Sequence, residues 1–119
     1  MQENFRHFRA GPDPLGRQWQ VDLLWLQTAI AIRHSDSVDA KFLLSDGGTP
    51  VEKVISMRHV DLLELSRAMG RPLTDPWCAR LAARHLAHMI ETGTDLEKTL
   101  VTPTAAELGG YAAVEKAHT

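Results

Sequence analysis

The chain has 119 residues, of which 44% are hydrophobic and 24% charged, and its formal net charge is -2. This length and composition are typical of one globular domain that buries a core without help from disulfides or metals. The slightly acidic charge balance provides no overall attraction to nucleic acid or to an anionic membrane, so both kinds of partner are disfavoured.

Three features of the sequence bear on where the protein works. The only cysteine, Cys78, excludes an intrachain disulfide, which suits a reducing compartment. The first eleven residues are polar and lack the apolar stretch of a secretory signal. The most apolar run, residues 23–32, is interrupted by Gln27 and Thr28 and is shorter than the roughly 20 residues that span a bilayer. We therefore expect a soluble, cytoplasmic protein with no membrane partner.

The chain divides at a segment rich in glycine and proline, residues 11–16. Such a segment ends regular structure on either side, so residues 1–17 are predicted to form an N-terminal arm. Residues 18–119 show no internal repeat and no further boundary. They are predicted to form a single α+β domain.

The first strand of this domain is predicted over residues 18–32. Polar and apolar residues alternate at its start, as in a strand with one apolar face. Further along, the odd-numbered and the even-numbered residues are both mainly apolar. A helix over residues 21–32 is the alternative, but the β-branched residues Thr28, Ile30 and Ile32 favour the strand. A strand that is apolar on both faces must be covered on both faces, by helices or by a partner chain.

Two more strands are predicted at residues 40–44 and 51–57, separated by the turn sequence DGGTP at residues 46–50. Consecutive strands with tight connections favour an antiparallel meander. The expected fold class is therefore α+β, with a meander of about three strands in the N-terminal half packed against about three C-terminal helices.

The helices are predicted from their end signals. The first ends at Gly70, and the second begins with Asp75 as capping residue and Pro76 as first helical residue. The third begins at residues 102–103, or at Thr104, which could form a capping box with Glu107.

The second helix carries Cys78, His85 and His88 on one side. Seven residues separate Cys78 from His85, which is about 10.5 Å of helix axis and too far for one metal ion. Two histidines alone do not make a site, and the sequence lacks any recognised zinc motif. We therefore predict no metal, no other cofactor and no catalytic residue. His85 falls within the wide apolar arc of this helix and is expected to be a hydrogen-bonded core residue, with His88 at the edge of the arc.

Arg80 and Arg84 lie one helical turn apart and could hold a small anionic ligand between them. A DNA-reading helix must expose several polar side chains, whereas this one exposes only a narrow polar stripe, so nucleic acid is not the expected partner. The ligand-binding residues predicted for a pocket between sheet and helices are Arg80, Arg84, His85 and His88.

Two hypotheses about function follow from these patterns. The first is a non-enzymatic interaction or accessory module that self-associates through its sheet as a homo-oligomer, a dimer being expected. The alternative is a protein or enzyme that binds a small anionic ligand or a metal in the pocket just described.

Overall fold

The computed structural model of the protein describes residues 5–29 and 36–117. The chain begins with four strands, continues with two helices, and ends with a short strand and a third helix. In chain order the elements are β1 (His7–Ala10), β2 (Trp19–Ala29), β3 (Ser37–Ser45), β4 (Val51–Arg58), α1 (His59–Met69), α2 (Asp75–Thr92), β5 (Leu100–Val101) and α3 (Ala105–Ala117).

The strands form one sheet in the order β1-β2-β3-β4-β5. Neighbouring strands from β1 to β4 are antiparallel, and β5 is parallel to β4. The α+β class and the antiparallel meander β2-β3-β4 are confirmed. The expected number of about three strands is wrong, because the described residues form a five-stranded sheet. The additional strands have four and two residues, too few to show an alternating pattern in the sequence.

The strand prediction for the first apolar run is confirmed, against the helical alternative, over Trp19–Ala29. Residues 30–32 of the predicted strand lie outside the described residues. The pairing of β2 with β3 shifts register between Leu23 and Trp25, which marks a β-bulge. The bulge changes which residues face the helices: Leu23 lies opposite Phe42, and after the shift Leu26 lies opposite Ala40.

One face of the sheet packs against the helices, and we call it the inner face. Alternate residues of β3 are buried there, as the two-residue period of a strand requires. These side chains join residues of α1, α2 and α3 in one hydrophobic core. The inner-face residues of β3 and β4 in this core are Val38, Ala40, Phe42, Leu44, Ile55 and Met57.

The helix ends follow the sequence signals with one correction. Gly70 and Gly93 adopt left-handed backbone angles at the ends of α1 and α2, with φ of 64° and 73°. The predicted cap at Asp75 is wrong by one residue, since Thr74 is the N-cap and its hydroxyl accepts a hydrogen bond from the Trp77 N–H. Threonine and aspartate both have cap-forming oxygens, so the sequence alone does not separate them.

Helix α3 begins with the predicted capping box. The hydroxyl of Thr104 accepts from the N–H of Glu107 at 3.1 Å, and the Glu107 carboxylate accepts from the N–H of Thr104 at 2.9 Å. This confirms the later of the two predicted starts. The longest described helix is α2, with 18 residues. None of the helices in the described ranges has both the length and the apolar composition needed to cross a membrane.

Candidate functional site

The face of the sheet opposite the core, which we call the outer face, carries a row of four residues that crosses four strands. Trp25 of β2 lies opposite Lys41 of β3, and Lys41 lies opposite Val54 of β4. Val54 in turn lies opposite Leu100 of β5. Side chains of directly opposed residues share a face, so the row is continuous across the sheet.

The apolar members of the outer face lie outside the hydrophobic core. Trp25 is 38% exposed and Leu100 is 55% exposed, while Leu43 and Val54 are half-buried. By contrast, Phe42, which precedes Leu43 in the chain and points to the inner face, is fully buried. The alternation along β3 therefore separates a packed inner face from an accessible outer face.

Charged side chains interrupt this apolar surface, and those of Lys41, Glu52 and Asp39 have polar partners on it. The Nζ atom of Lys41 lies 3.2 Å from the Glu52 carboxylate and 5.7 Å from the centre of the Trp25 ring. The hydroxyls of Ser37 and Ser56 both donate to the Asp39 carboxylate, at 2.9 and 2.7 Å. The outer face thus carries both signs of charge, an arrangement that suits a surface with the same mixed character better than a polyanion.

The sequence-predicted ligand residues lie at the junction of α2 and α3. Arg84 donates to the Glu115 carboxylate from Nε at 3.0 Å and from an Nη atom at 2.6 Å. The Nε atom of Arg80 lies 3.7 Å from the other oxygen of Glu115, and its guanidinium lies 5.1 Å from the centre of the Phe5 ring. The two arginines therefore do hold a carboxylate, but this carboxylate is the side chain of Glu115 and not an external ligand.

His85 is buried at 3% exposure and turns towards α3. Its Nδ1 atom lies 2.8 Å from the hydroxyl oxygen of Tyr111, and the two rings meet edge to face. Burial lowers the pKa of His85, although the nearby carboxylate of Glu107 acts in the opposite direction. His88, one turn further along, is exposed. The structure therefore buries His85 and leaves His88, on the same helix, exposed.

Two open cavities among the described residues are lined by side chains other than those of the four predicted ligand residues. One, of about 220 Å³, lies beside the β2 bulge and the start of α2, and its wall includes Leu24, Trp25 and Asp75. The other, of about 350 Å³, lies between Trp19 and the β3–β4 turn at Asp46. Neither cavity is lined by Arg80, Arg84, His85 or His88.

The thiol of Cys78 is buried in the core cluster. Burial, together with the carboxylate of Asp75, raises the pKa of Cys78 to about 11. Such a thiol is a poor nucleophile and a poor metal ligand, because both reactions need the thiolate. Within the described ranges, no three histidine, cysteine or acidic side chains are grouped so that they could hold a metal ion.

Sequence reasoning missed Glu115 and Tyr111, the partners of Arg84 and His85. Both lie on the face of α3 that also carries the buried Leu108 and Ala112. Residues 108, 111, 112 and 115 have the spacing of a buried helical stripe. A buried acidic side chain needs a cationic or hydrogen-bonding partner. The position of Glu115 within this stripe was therefore a sign in the sequence that its carboxylate is paired.

Comparison of the chain with protein-family models, with curated proteins and with solved structures gave no significant match.

Proposed function

We propose that the protein is a non-enzymatic interaction module that forms a homodimer through the outer face of its sheet. The observation that carries this proposal is the row Trp25, Lys41, Val54 and Leu100, which crosses four strands outside the core. The proposal keeps the expectation of a cytoplasmic protein, which rests on its single cysteine.

The driving force in this proposal is the removal of apolar surface from water. Burial stabilises by roughly 25 cal/mol for each Å² of apolar surface, and a large aromatic ring such as that of Trp25 contributes most. Two sheets pack face to face about 10 Å apart, so two outer faces could interdigitate their side chains. In an interface with two-fold symmetry, the same surface of each subunit contacts its copy on the partner. The ion pair of Lys41 with Glu52 supplies both signs of charge that such a self-complementary surface needs.

Light scattering coupled to size-exclusion chromatography, over a series of protein concentrations, tests this proposal. The wild type is expected to scatter as a dimer of the 13.2 kDa chain. Leu100→Glu places a charge on the outer face at an exposed position and is expected to shift the protein to monomer. Leu15→Glu is the matched control, since Leu15 is 78% exposed and belongs to the loop between β1 and β2.

Circular dichroism checks that both variants keep the fold. The proposal fails if the wild type is a monomer at every concentration, or if Leu100→Glu and Leu15→Glu dimerise equally well. Trp25→Ser provides an independent variant on another strand, and it should weaken the dimer in the same direction.

A second candidate function is the binding of a small anion by Arg80 and Arg84. It is favoured by the finding that these side chains already bracket a carboxylate, that of Glu115. Glu115→Gln removes the internal charge, so it should increase the affinity for added phosphate. A ligand at 100 times its dissociation constant stabilises by about 2.7 kcal/mol, which a thermal-shift measurement detects. An absence of any shift in Glu115→Gln, with its fold intact, would count against this candidate.

A further inference from the structure

Helix α3 packs against α1 and α2, and two of its polar contacts with α2 are hydrogen-bonded side-chain pairs. One is the ion pair between Arg84 and Glu115 described above. The other is the hydrogen bond between His85 and Tyr111, in which the ring centres are 5.7 Å apart and the ring planes meet at 61°. The second contact involves a group that changes its charge near neutral pH.

The imidazole of His85 has one satisfied nitrogen and one buried nitrogen without a partner. Nδ1 is bonded to the Tyr111 hydroxyl, whereas Nε2 has no hydrogen-bond partner among the described residues. In the neutral ring, Nδ1–H can donate to Tyr111 and leave only a lone pair on Nε2. Protonation places an N–H on Nε2, and a buried donor without an acceptor destabilises the closed arrangement.

The charged and titratable groups around His85 act in both directions. Glu107 of α3, 3.8 Å from Nδ1, and Asp95 of the α2–α3 connection favour the protonated ring. Burial and the neighbouring His88 of the same helix oppose it, and the half-buried hydroxyl of Tyr111 contributes no charge. Burial is the largest of these effects and lowers the pKa of His85 from its ordinary 6.5.

The position of the Glu107 carboxylate is fixed in part by the cap of α3. One of its oxygens accepts the N–H of Thr104 at 2.9 Å and so completes the cap of α3. The other oxygen already lies 3.8 Å from Nδ1 of His85, and a closer approach to the ring would strain this cap. The buried Nε2 atom is on the side of the ring that this carboxylate does not contact, so protonation leaves its N–H without an acceptor and weakens the attachment of α3.

We propose that α3 is an acid-sensitive latch, which detaches from α2 when His85 is protonated while the sheet and α2 remain folded. Detachment also separates Glu115 from Arg80 and Arg84, so the latch uncovers cationic side chains of α2. This inference is independent of dimerisation through the outer face, because His85 and α3 lie on the side of the inner face.

The sign of the pH dependence follows from linkage. With α3 detached, His85 regains its ordinary pKa of 6.5, whereas with α3 attached its pKa is lower. The stability of the attached state is therefore complete above about pH 6.5 and is lost as the pH falls towards the lower value. For one proton, the equilibrium constant for detachment rises by up to tenfold for each pH unit in that window.

Amide hydrogen exchange, expressed as protection factors that correct for the intrinsic effect of pH, tests the latch. Amides of Leu108 and Ala112 in α3 should lose up to tenfold protection for each pH unit below about 6.5. Amides of Ala40 and Phe42 in β3 should keep their protection over the same range. His85→Phe, which cannot be protonated, should remove the pH dependence in α3, whereas His88→Ala should retain it.

Three outcomes would overturn the inference. The protection of α3 could be independent of pH, it could fall in parallel with that of β3, or its pH dependence could persist in His85→Phe. If His85→Phe does not fold, His85→Gln serves in its place, since glutamine is also uncharged across this range.

Discussion

The Nζ atom of Lys53 lies 2.6 Å from the main-chain oxygen of Leu96, so β4 is joined to the segment between α2 and β5. The same ammonium group donates to the main-chain oxygen of Lys98, also at 2.6 Å. Lys53 is only 7% exposed, and these bonds satisfy two donors of a charge that is removed from water. The segment they hold leads directly into β5, which pairs with β4 at Val54 and Ile55.

Lys53→Met tests whether this lysine fastens β5 to the sheet. Methionine keeps the apolar stem but removes both hydrogen bonds, so the free energy of unfolding should fall by about 1–3 kcal/mol. Urea denaturation measures the change. Lys98→Met is the matched control, because the Lys98 side chain is 57% exposed and its ion pair with Asp95 should contribute less than about 1 kcal/mol. Equal losses in the two variants would refute the role assigned to Lys53.

The Cys78 thiol is expected to be inert in the folded protein. With a pKa of about 11, only about one molecule in a thousand carries the thiolate at pH 8, and the sulfur is also buried. An aromatic disulfide reagent should therefore label native protein far more slowly than protein unfolded in urea. Rapid labelling of the native protein at pH 8 would show that the thiol is accessible and activated.

The elements that the sequence predicted well are those whose signals are local. The two strands on either side of the DGGTP turn and the glycine that ends α1 each depend on neighbouring residues, and all appear in the structure. Strand β5 has only two residues, and it becomes a strand because the chain returns to β4 after two helices. A pairing over that distance leaves no periodic pattern, so it was missed.

At the junction of α2 and α3, too, local features were predicted and the contact between distant residues was not. The apolar arc of α2 predicted that His85 is buried, and it is. The partner of Arg84 was not predicted, because Glu115 lies 31 residues further along the chain on another helix. Sequence patterns reveal which side of a helix is buried, but the rotation of one helix against the next depends on how side chains interlock. The anion held by the arginines was therefore expected to be an external ligand.

Asp13 organises the loop between β1 and β2, and we expect it to make the stability of the protein depend on acid. Its carboxylate accepts hydrogen bonds from the N–H groups of Leu15 and Arg17, from the Arg17 side chain and from the Trp19 indole. Burial raises the pKa of Asp13, but these bonds outweigh burial and lower it from 3.8 to about 2. The contribution of Asp13 to stability is thus complete above about pH 4 and is lost as the pH falls towards 2.

Asp13→Asn should lower the melting temperature at pH 7 and flatten the decline in stability between pH 4 and pH 2. Asparagine keeps the shape but replaces one acceptor with a donor that faces the N–H groups of the loop. Thermal melts at several pH values measure both effects. Glu91→Gln, at an exposed position of α2, provides a carboxylate-to-amide control and should change the melting temperature little. A variant at position 13 that melts like the wild type at pH 7 would contradict this account of the loop.

The ion pair of Arg84 with Glu115 should stabilise the protein more than an exposed pair does. Its side chains are 24% and 11% exposed, and two donors of one guanidinium converge on one carboxylate oxygen. A double-mutant cycle with Arg84→Met and Glu115→Gln isolates the interaction, and we expect a coupling of about 1–3 kcal/mol.

The exposed pair of Lys98 with Asp95, at 3.2 Å, gives the reference cycle with Lys98→Met and Asp95→Asn. Its coupling should lie below about 1 kcal/mol and should decrease as salt is added, because solvent screens exposed charges more strongly than buried ones. Arg80 also approaches Glu115, so part of the attraction on this carboxylate remains when Arg84 is replaced. A coupling between Arg84 and Glu115 no larger than that of the exposed pair would contradict the stronger interaction assigned to the half-buried pair.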